Sequence, residues 1–403
     1  MHVLFTTYEF VTERTPCGGF GHYLANIATI LAQHNHKVTI LILTNYNDSF
    51  DWKKNVQVIT FKYEYVTKGL HIEEYIDKLL QTNISGYVNK SLAFSQKIKE
   101  IHKRNKIDVV QHNGDHLECW HRCRNIPTVV RLSSFTPWYQ HAYNPRSDME
   151  DRRWLDTWDS KLFLYPIKKA DAVYGPSKCV ADFLNPKLSK KIKIIESPFL
   201  LEDIKSGNTL PIELIGKKYF LFFGRLCVLK GINTIISCIY KILDENKEFY
   251  FVFAGNPEQK GFVRCILDAA NIYKSRVIIF EEIKDKKVMQ EIIKNAYACI
   301  LPSRADNLPN ACIEAMGMGK IVVGSYGASF EQLIQNKKNG LLIKRDSPNS
   351  LLKAIRYLMK MTPEMKEEME SLATKRIEKM QPEIIYNQII DFYQNIINQK
   401  RGI

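Results

Sequence analysis

The chain reads as an α/β protein made of two doubly wound parallel sheets in tandem. Two observations carry that reading: strand-length apolar runs alternate with helical stretches, and the whole pattern starts again near the middle of the chain. The first half gives HVLFTT, a helix from about His22 to Gln33, KVTILIL, VQVITF, a helix near Ser91 to Asn105, DVVQHN, TVVRLS and AVYGPS. The second gives YFLFFGRL, a helix through Thr234 to Leu243, FYFVFAGN, VIIFEEI, a helix near Lys286 to Tyr297, ACILPS, a helix near Asn310 to Met318, KIVVGS and GLLI. Both halves are thus expected to be Rossmann-like, over residues 1–197 and 198–383. The boundary falls between Ser197 and Lys218, where Pro198, Gly207, Asn208, Pro211 and Gly216 interrupt any apolar period. Residues 384–403 form a last helix with Ile385, Ile389, Phe392 and Ile396 on one face, expected to cross back onto the N-terminal domain.

Composition narrows the class. With 403 residues, 45% hydrophobic and 25% charged, the chain has material for a large core, which excludes disorder as its main state. Runs such as VTILIL and YFLFF have strand length, far below the roughly 20 apolar residues needed to span a bilayer. The N-terminus enters a strand directly, with no basic leader or cleavage site, and nine scattered cysteines suit a reducing compartment. A cytoplasmic protein is expected. The net charge of +14 fits nucleic acid, an anionic membrane or an acidic small molecule equally well.

The stretch LPSRADNLPNACIEAMGMGKIVVGSYGASFEQLI carries the most chemistry. Asp306 falls on a loop after a strand and Glu314 two to three turns on inside a helix, a placement that suits hydrogen bonding to adjacent hydroxyls of a ribose or sugar. Upstream, Arg225 offers a planar fork to phosphate oxygens and Lys230 a point charge. Helices expected after Gly18-Gly19 and after Ala328-Ser329 would add partial positive charge at their N-termini. No Asp-x-Asp pair occurs, so the common metal-chelating arrangement is unsupported.

These motifs resemble a known family. The pattern P-S-x-x-D-x-x-P-x-x-x-x-E-A-M-x-x-G-x-x-V-V, from Pro302 to Val323, is similar to the signature of retaining, nucleotide-sugar-dependent glycosyltransferases of the family-four type, which have the GT-B fold. Phe223-Gly224-Arg225-Leu226 with Lys230-Gly231 resembles that family's phosphate-binding pair, Ala254-Gly255 its next strand-end glycine, and Pro16-Cys17-Gly18-Gly19 its N-terminal glycine loop. The resemblance implies two Rossmann-like domains with an interdomain cleft, the donor held by the C-terminal domain and the acceptor by the N-terminal one. It implies that Arg225 and Lys230 stabilise the diphosphate and that Glu314 holds the ribose. Asp306, Asn307, Leu308, Gly18 and Gly19 would position sugar and phosphate, and the loop from Phe280 to Ile283 would meet the base. The implied donor is a nucleotide sugar, a UDP-sugar in preference to a GDP-sugar, with no metal or other cofactor. The implied acceptor is a glycan or lipid-linked hydroxyl, as in polysaccharide or glycolipid assembly. The chain departs from the family at Ser133, where many relatives have His; His112 or Asp115 could serve the same site.

Other features have weaker readings. His112, His116, Cys119, His121 and Cys123 are too unevenly spaced for a usual zinc site, so no metal is expected. Lys90, Lys97 and Arg104 recur every seven residues beside Lys99, Lys103 and Lys106, with Leu92, Ile98 and Ile101 turned to the core, which suits an anionic membrane surface and a peripheral location on its inner face. Trp138, Tyr139, Tyr143 and Trp154 could line an acceptor groove, touch lipid headgroups or form a buried cluster. A nicotinamide oxidoreductase would need G-x-G-x-x-G right after the first strand, where EFVTERTPCGGFG stands instead. No nucleic-acid module appears and the basic residues are dispersed, so no nucleic-acid partner is expected. A catalytically silent GT-B subunit remains the competing reading because of Ser133.

Overall fold

A computed structural model describes residues 1–63, 84–114, 117–199 and 210–402. Asp115, His116, Gly207 and Asn208, singled out above, lie outside the described residues. The chain divides into two compact units: Met1–Pro137 with Asp151–Pro198 and Pro382–Ile403, and Trp138–Glu150 with Phe199–Gln381.

In the first unit the strands are β1 (His2–Thr7), β2 (Lys37–Thr44), β3 (Asp48–Lys53), β4 (Val56–Lys62), β5 (Val109–Asn113), β6 (Thr128–Arg131), β7 (Ala172–Gly175) and β8 (Lys193–Ile194). They form one sheet in the order β3-β4-β2-β1-β5-β6-β7-β8. Every pairing is parallel except β3 with β4. Strand β3 is exposed apart from the half-buried Trp52, and its one apolar pair, Phe50 and Trp52, is too little to mark DSFDWK as a strand in sequence. Helix α1 (Gly19–Gln33) lies on one face, packed with Val3, Phe5, Ile40 and Val129. Helix α2 (Ile84–Arg104) covers the other, where Phe94, Ile98 and Ile101 meet Leu4, Leu41 and Val110. Leu92, expected in that core, is only half-buried, and Phe94 takes the place because it lies on the inward face with Ile98 and Ile101. Helix α3 (Thr136–Tyr143) is grouped from Trp138 on with the second unit, whereas α4 (Trp158–Lys169) and α5 (Lys178–Leu184) belong to this one.

The second unit has β9 (Lys218–Phe223), β10 (Phe249–Ala254), β11 (Val277–Phe280), β12 (Ala298–Leu301), β13 (Val322–Ser325) and β14 (Leu341–Ile343), all parallel, in the order β11-β10-β9-β12-β13-β14. Alternate residues of β9 feed opposite cores, Phe220 and Phe222 on one face and Tyr219, Leu221 and Phe223 on the other. Burial on both faces is what makes such strands near-continuous apolar runs. The helices are α6 (Ile232–Ile236), α7 (Ile239–Glu245), α8 (Gly261–Ala270), α9 (Lys286–Asn295), α10 (Asn310–Gly317), α11 (Pro348–Met359) and α12 (Pro363–Ile377). The single helix expected from Thr234 to Leu243 is broken after Ile236, with Ser237 and Cys238 between its two pieces.

The final helix, α13 (Pro382–Arg401), belongs to the first unit. Ile385, Ile389, Tyr393 and Ile396 join the core beneath α1 and β1, as its apolar spacing predicts, while Phe392 is only half-buried.

Candidate active site

In an open parallel sheet, ligands bind outside the carboxyl ends of the strands where the strand order reverses. In the second unit that point lies between β9 and β12, because β10 and β11 are added on one side and β13 and β14 on the other. The loop after β9 carries Arg225 and Lys230, and the loop after β12 carries Asp306. Backbone contacts lock the two loops together: the Arg304 amide donates to the Leu229 carbonyl at 2.8 Å. Gly231 has φ +74°, and a Cβ there would stand 1.7 Å from the Pro302 carbonyl oxygen, so only glycine permits this approach. Gly255 is constrained alike, at φ +148° and 2.1 Å from the Gly224 carbonyl oxygen.

Each cation in the site faces a carboxylate. The Lys230 ammonium donates to Asp306 Oδ2. The Arg225 guanidinium, 63% exposed, lies 3.7 Å from Glu258 Oε1, and the other oxygen of Glu258 accepts from the Tyr143 hydroxyl. That hydrogen bond holds the Tyr143 phenol up at about 12. Asp306, Asn307 and Leu308 are buried. Part of their cover is the segment Trp138–Glu150, which the sequence assigns to the first domain and which clusters with the second unit. Its Tyr139 hydroxyl accepts from the Asn307 amide at 3.0 Å. Arg304, only 3% exposed, donates to the carbonyls of Pro145 at 2.8 Å and Ser147 at 3.1 Å and lies 3.4 Å from Asp346. The alternation of apolar and helical segments gives no sign of this clamp.

Glu314 is the fifth residue of α10, in the second turn of a helix that starts at Asn310 as expected. Half-buried, it makes no side-chain hydrogen bond with the described residues. Burial pushes its carboxyl up to about 7, against a smaller opposing pull from the Lys286 charge. Such a carboxylate is available to a hydroxyl pair. Ile283, beyond β11, is half-buried against the same core as Leu301 and Ile313. The Phe280 carbonyl is already engaged, accepting from the Gly255 amide at 2.8 Å. The expected helix after Ala328-Ser329 is a three-residue 3-10 turn, Phe330–Gln332, too short for a useful dipole. The Gly327 amide there donates to the Glu331 carboxylate.

In the first unit the equivalent switch point lies between β1 and β5. Gly18 caps α1, and Gly19 is its first residue. A carboxylate sits on this N-terminus: Glu9 accepts from the amides of Gly18 at 3.1 Å and Gly21 at 2.6 Å. Glu9 escaped the sequence reading, where an acid nine residues before the glycines is the only trace. His112 is 2% exposed, with Nδ1 at 2.9 Å from Thr6 Oγ1 and 3.8 Å from the buried Glu118 carboxylate. It is enclosed in the unit and does not face an open surface. Ser133 is half-buried and its hydroxyl accepts from Arg131 at 2.6 Å.

The remaining candidates are accounted for by packing. Burial raises the Cys119 thiol to about 12, and Cys123 donates to the Ser95 carbonyl. Among the described residues no three His, Cys, Asp or Glu side chains converge as a metal group. Trp138 and Trp154 are buried, so neither lies against lipid, whereas Tyr143 is exposed. On α2, Lys97 and Arg104 pair with Glu100 at 2.8 and 3.1 Å, which leaves Lys99, Lys103 and Lys106 exposed. Among the described residues no helix is long and apolar enough to cross a membrane.

Comparison with known proteins agrees with this architecture. Residues 212–376 match the family described as Glycosyl transferases group 1, and residues 17–199 match Glycosyltransferase Family 4. An uncharacterised glycosyltransferase of Methanocaldococcus jannaschii is 27% identical over 47% of this chain and 49% of its own length. The matched stretches span from about a third to half of the curated relatives first in similarity. Among solved structures, a sucrose-phosphate synthase from Thermosynechococcus elongatus superposes with a TM-score of 0.72 at 16% identity over 99% of both chains. An Escherichia coli trehalose-6-phosphate protein bound with UDP-2-fluoro glucose gives 0.70 at 11% identity, over 98% of this chain and 99% of that one. The chain thus has the two-domain GT-B fold, and each of its halves matches a glycosyltransferase family model.

Proposed function

We propose that the protein transfers a hexose-type sugar from a UDP-sugar to a hydroxyl of a glycan or lipid-linked acceptor, with retention at the anomeric carbon and without a metal. The observation that carries the reading is the placement of Arg225 and Lys230 with Asp306 and Glu314 at the carboxyl ends of β9 and β12 in the second unit. In this reading the diphosphate takes over from Glu258 and Asp306 as partner of the two cations. Asp306, released from Lys230, accepts from sugar hydroxyls, and ionised Glu314 accepts from the ribose. The bond from the anomeric carbon to the phosphate oxygen breaks as the bond to the acceptor oxygen forms on the same face. The acceptor's proton passes to the departing phosphate, so no protein base is required. The neighbour solved with UDP-2-fluoro glucose favours uridine as the base.

Replacing Arg225 or Lys230 by Ala is expected to lower transfer by roughly 100-fold, the usual loss when one preorganised charge-stabilising group is removed. Purified protein with a UDP-sugar, assayed for UDP release, checks this, and EDTA is expected to leave the rate unchanged. Full turnover in either variant, or loss of activity with the chelator, would overturn the assignment.

A further inference from the structure

Arg131 ends β6 at the carboxyl edge of the first sheet, directly beside Asn113 on β5 and Tyr174 on β7. It is 3% exposed. Its guanidinium lies over the Tyr23 ring of α1, with Cζ 3.6 Å from the ring centroid. Nη1 donates to Ser133 Oγ at 2.6 Å and Nη2 to Ser197 Oγ at 3.0 Å. Nε is buried and has no hydrogen-bond partner among the described residues. No carboxylate among the described residues comes within ion-pair distance. Each of the other polar groups nearby is committed or neutral: the Tyr23 hydroxyl bonds that of Tyr174 at 2.8 Å, and Tyr174 and Tyr393 both donate to Gln111 Oε1 at 2.6 Å.

A desolvated cation without a counter-charge costs several kcal/mol, and buried charges are ordinarily paired. Here an aromatic face and two hydroxyls supply partial compensation only. The position is where a parallel sheet receives ligands. Ser133 and Ser197 are half-buried, so they form the outer edge of the cluster with the guanidinium behind them.

We propose that Arg131, with the Ser133 and Ser197 hydroxyls, is an anion-binding site in the first unit that takes a phosphate monoester. The planar fork offers paired donors to an oxyanion, and the hydroxyls can turn to donate to its remaining oxygens. The phosphate's charge completes the ion pair that the fold leaves open. The site rests on the geometry of Arg131 alone and not on the function proposed above.

The test is thermal unfolding of the full chain with inorganic phosphate, glucose 6-phosphate or glucose, in the native protein and in Ser133→Asp and Arg131→Met. Phosphate and glucose 6-phosphate at 100 times their dissociation constants should raise the melting temperature of the native protein by about 5 °C, and glucose should not. Ser133→Asp supplies a carboxylate in reach of the guanidinium, so it should unfold at a higher temperature than the native protein without additives and lose the response to phosphate. Arg131→Met should lose the response as well. Because Arg225→Ala removes a donor-site cation and leaves this cluster intact, that variant should keep the phosphate response even if its response to UDP is gone. A native protein indifferent to phosphate, or a shift that survives in Ser133→Asp, would overturn the site. Absence of transfer activity alongside an intact response would count against the proposed function and not against the site.

Discussion

Glu314 shows how a single burial decides a pH profile. Its carboxyl is held at about 7 against an ordinary 4.5, mainly by desolvation. The folded chain therefore keeps a proton that the unfolded chain has released across that window. Stability from this group is fully present below pH 4.5 and is lost as pH rises through about 7. Glu314→Gln removes the titration: native and variant should match near pH 4.5, and the variant should be the more stable by on the order of 3 kcal/mol above pH 7.5. Urea unfolding from pH 5 to 8 measures this, and parallel profiles would refute the burial argument. The same residue also marks the limit of what a motif reveals. The pattern from Pro302 to Val323 singles out Asp306 and Glu314, and the Gly-Arg and Lys-Gly pair singles out Arg225 and Lys230, but neither names Glu258 or says which cation faces which carboxylate. Glu258 is 33 residues from Arg225, and Asp306 is 76 from Lys230, so those pairings depend on the closed sheet.

At the scale of elements, strands were the most legible because burial on both faces writes them as unbroken apolar runs. The exposed β3 and the two-residue β8 had no such signature. Helix ends were less legible: the helix expected from Thr234 to Leu243 breaks after Ile236, and the turn after Ser329 never becomes a helix. The segment Trp138–Glu150 was the least legible, since its attachment rests on Arg304 reaching two backbone carbonyls and on Tyr139 meeting the Asn307 amide. Arg304→Ala should destabilise the second unit by about 3 kcal/mol, because it leaves two carbonyls unsatisfied and Asp346 without its partner. Limited proteolysis should then cut within residues 138–150 faster than in the native protein. Arg304→Lys cannot bridge both carbonyls and should recover only part of the protection. Unaltered cleavage in Arg304→Ala would show that other contacts hold the segment.

For the whole molecule, the restart of the β-α pattern correctly announces two parallel-stranded sheets, and the chain's last helix belongs with the first of them although it follows the second in sequence. Ile389 is fully buried in α13 among Val3, Phe5 and Leu24. Ile389→Ala removes three carbons from that packing and should cost about 2–5 kcal/mol, all of it in the first unit. UDP, which the proposed function places on the second unit, should stabilise only that unit. Scanning calorimetry can separate the two effects. The variant should shift one unfolding transition downward, and UDP should raise the other in both native and variant chains. A single transition that both perturbations move together would mean that the units unfold as one cooperative body, so that a late substitution in α13 weakens the nucleotide site through global stability alone.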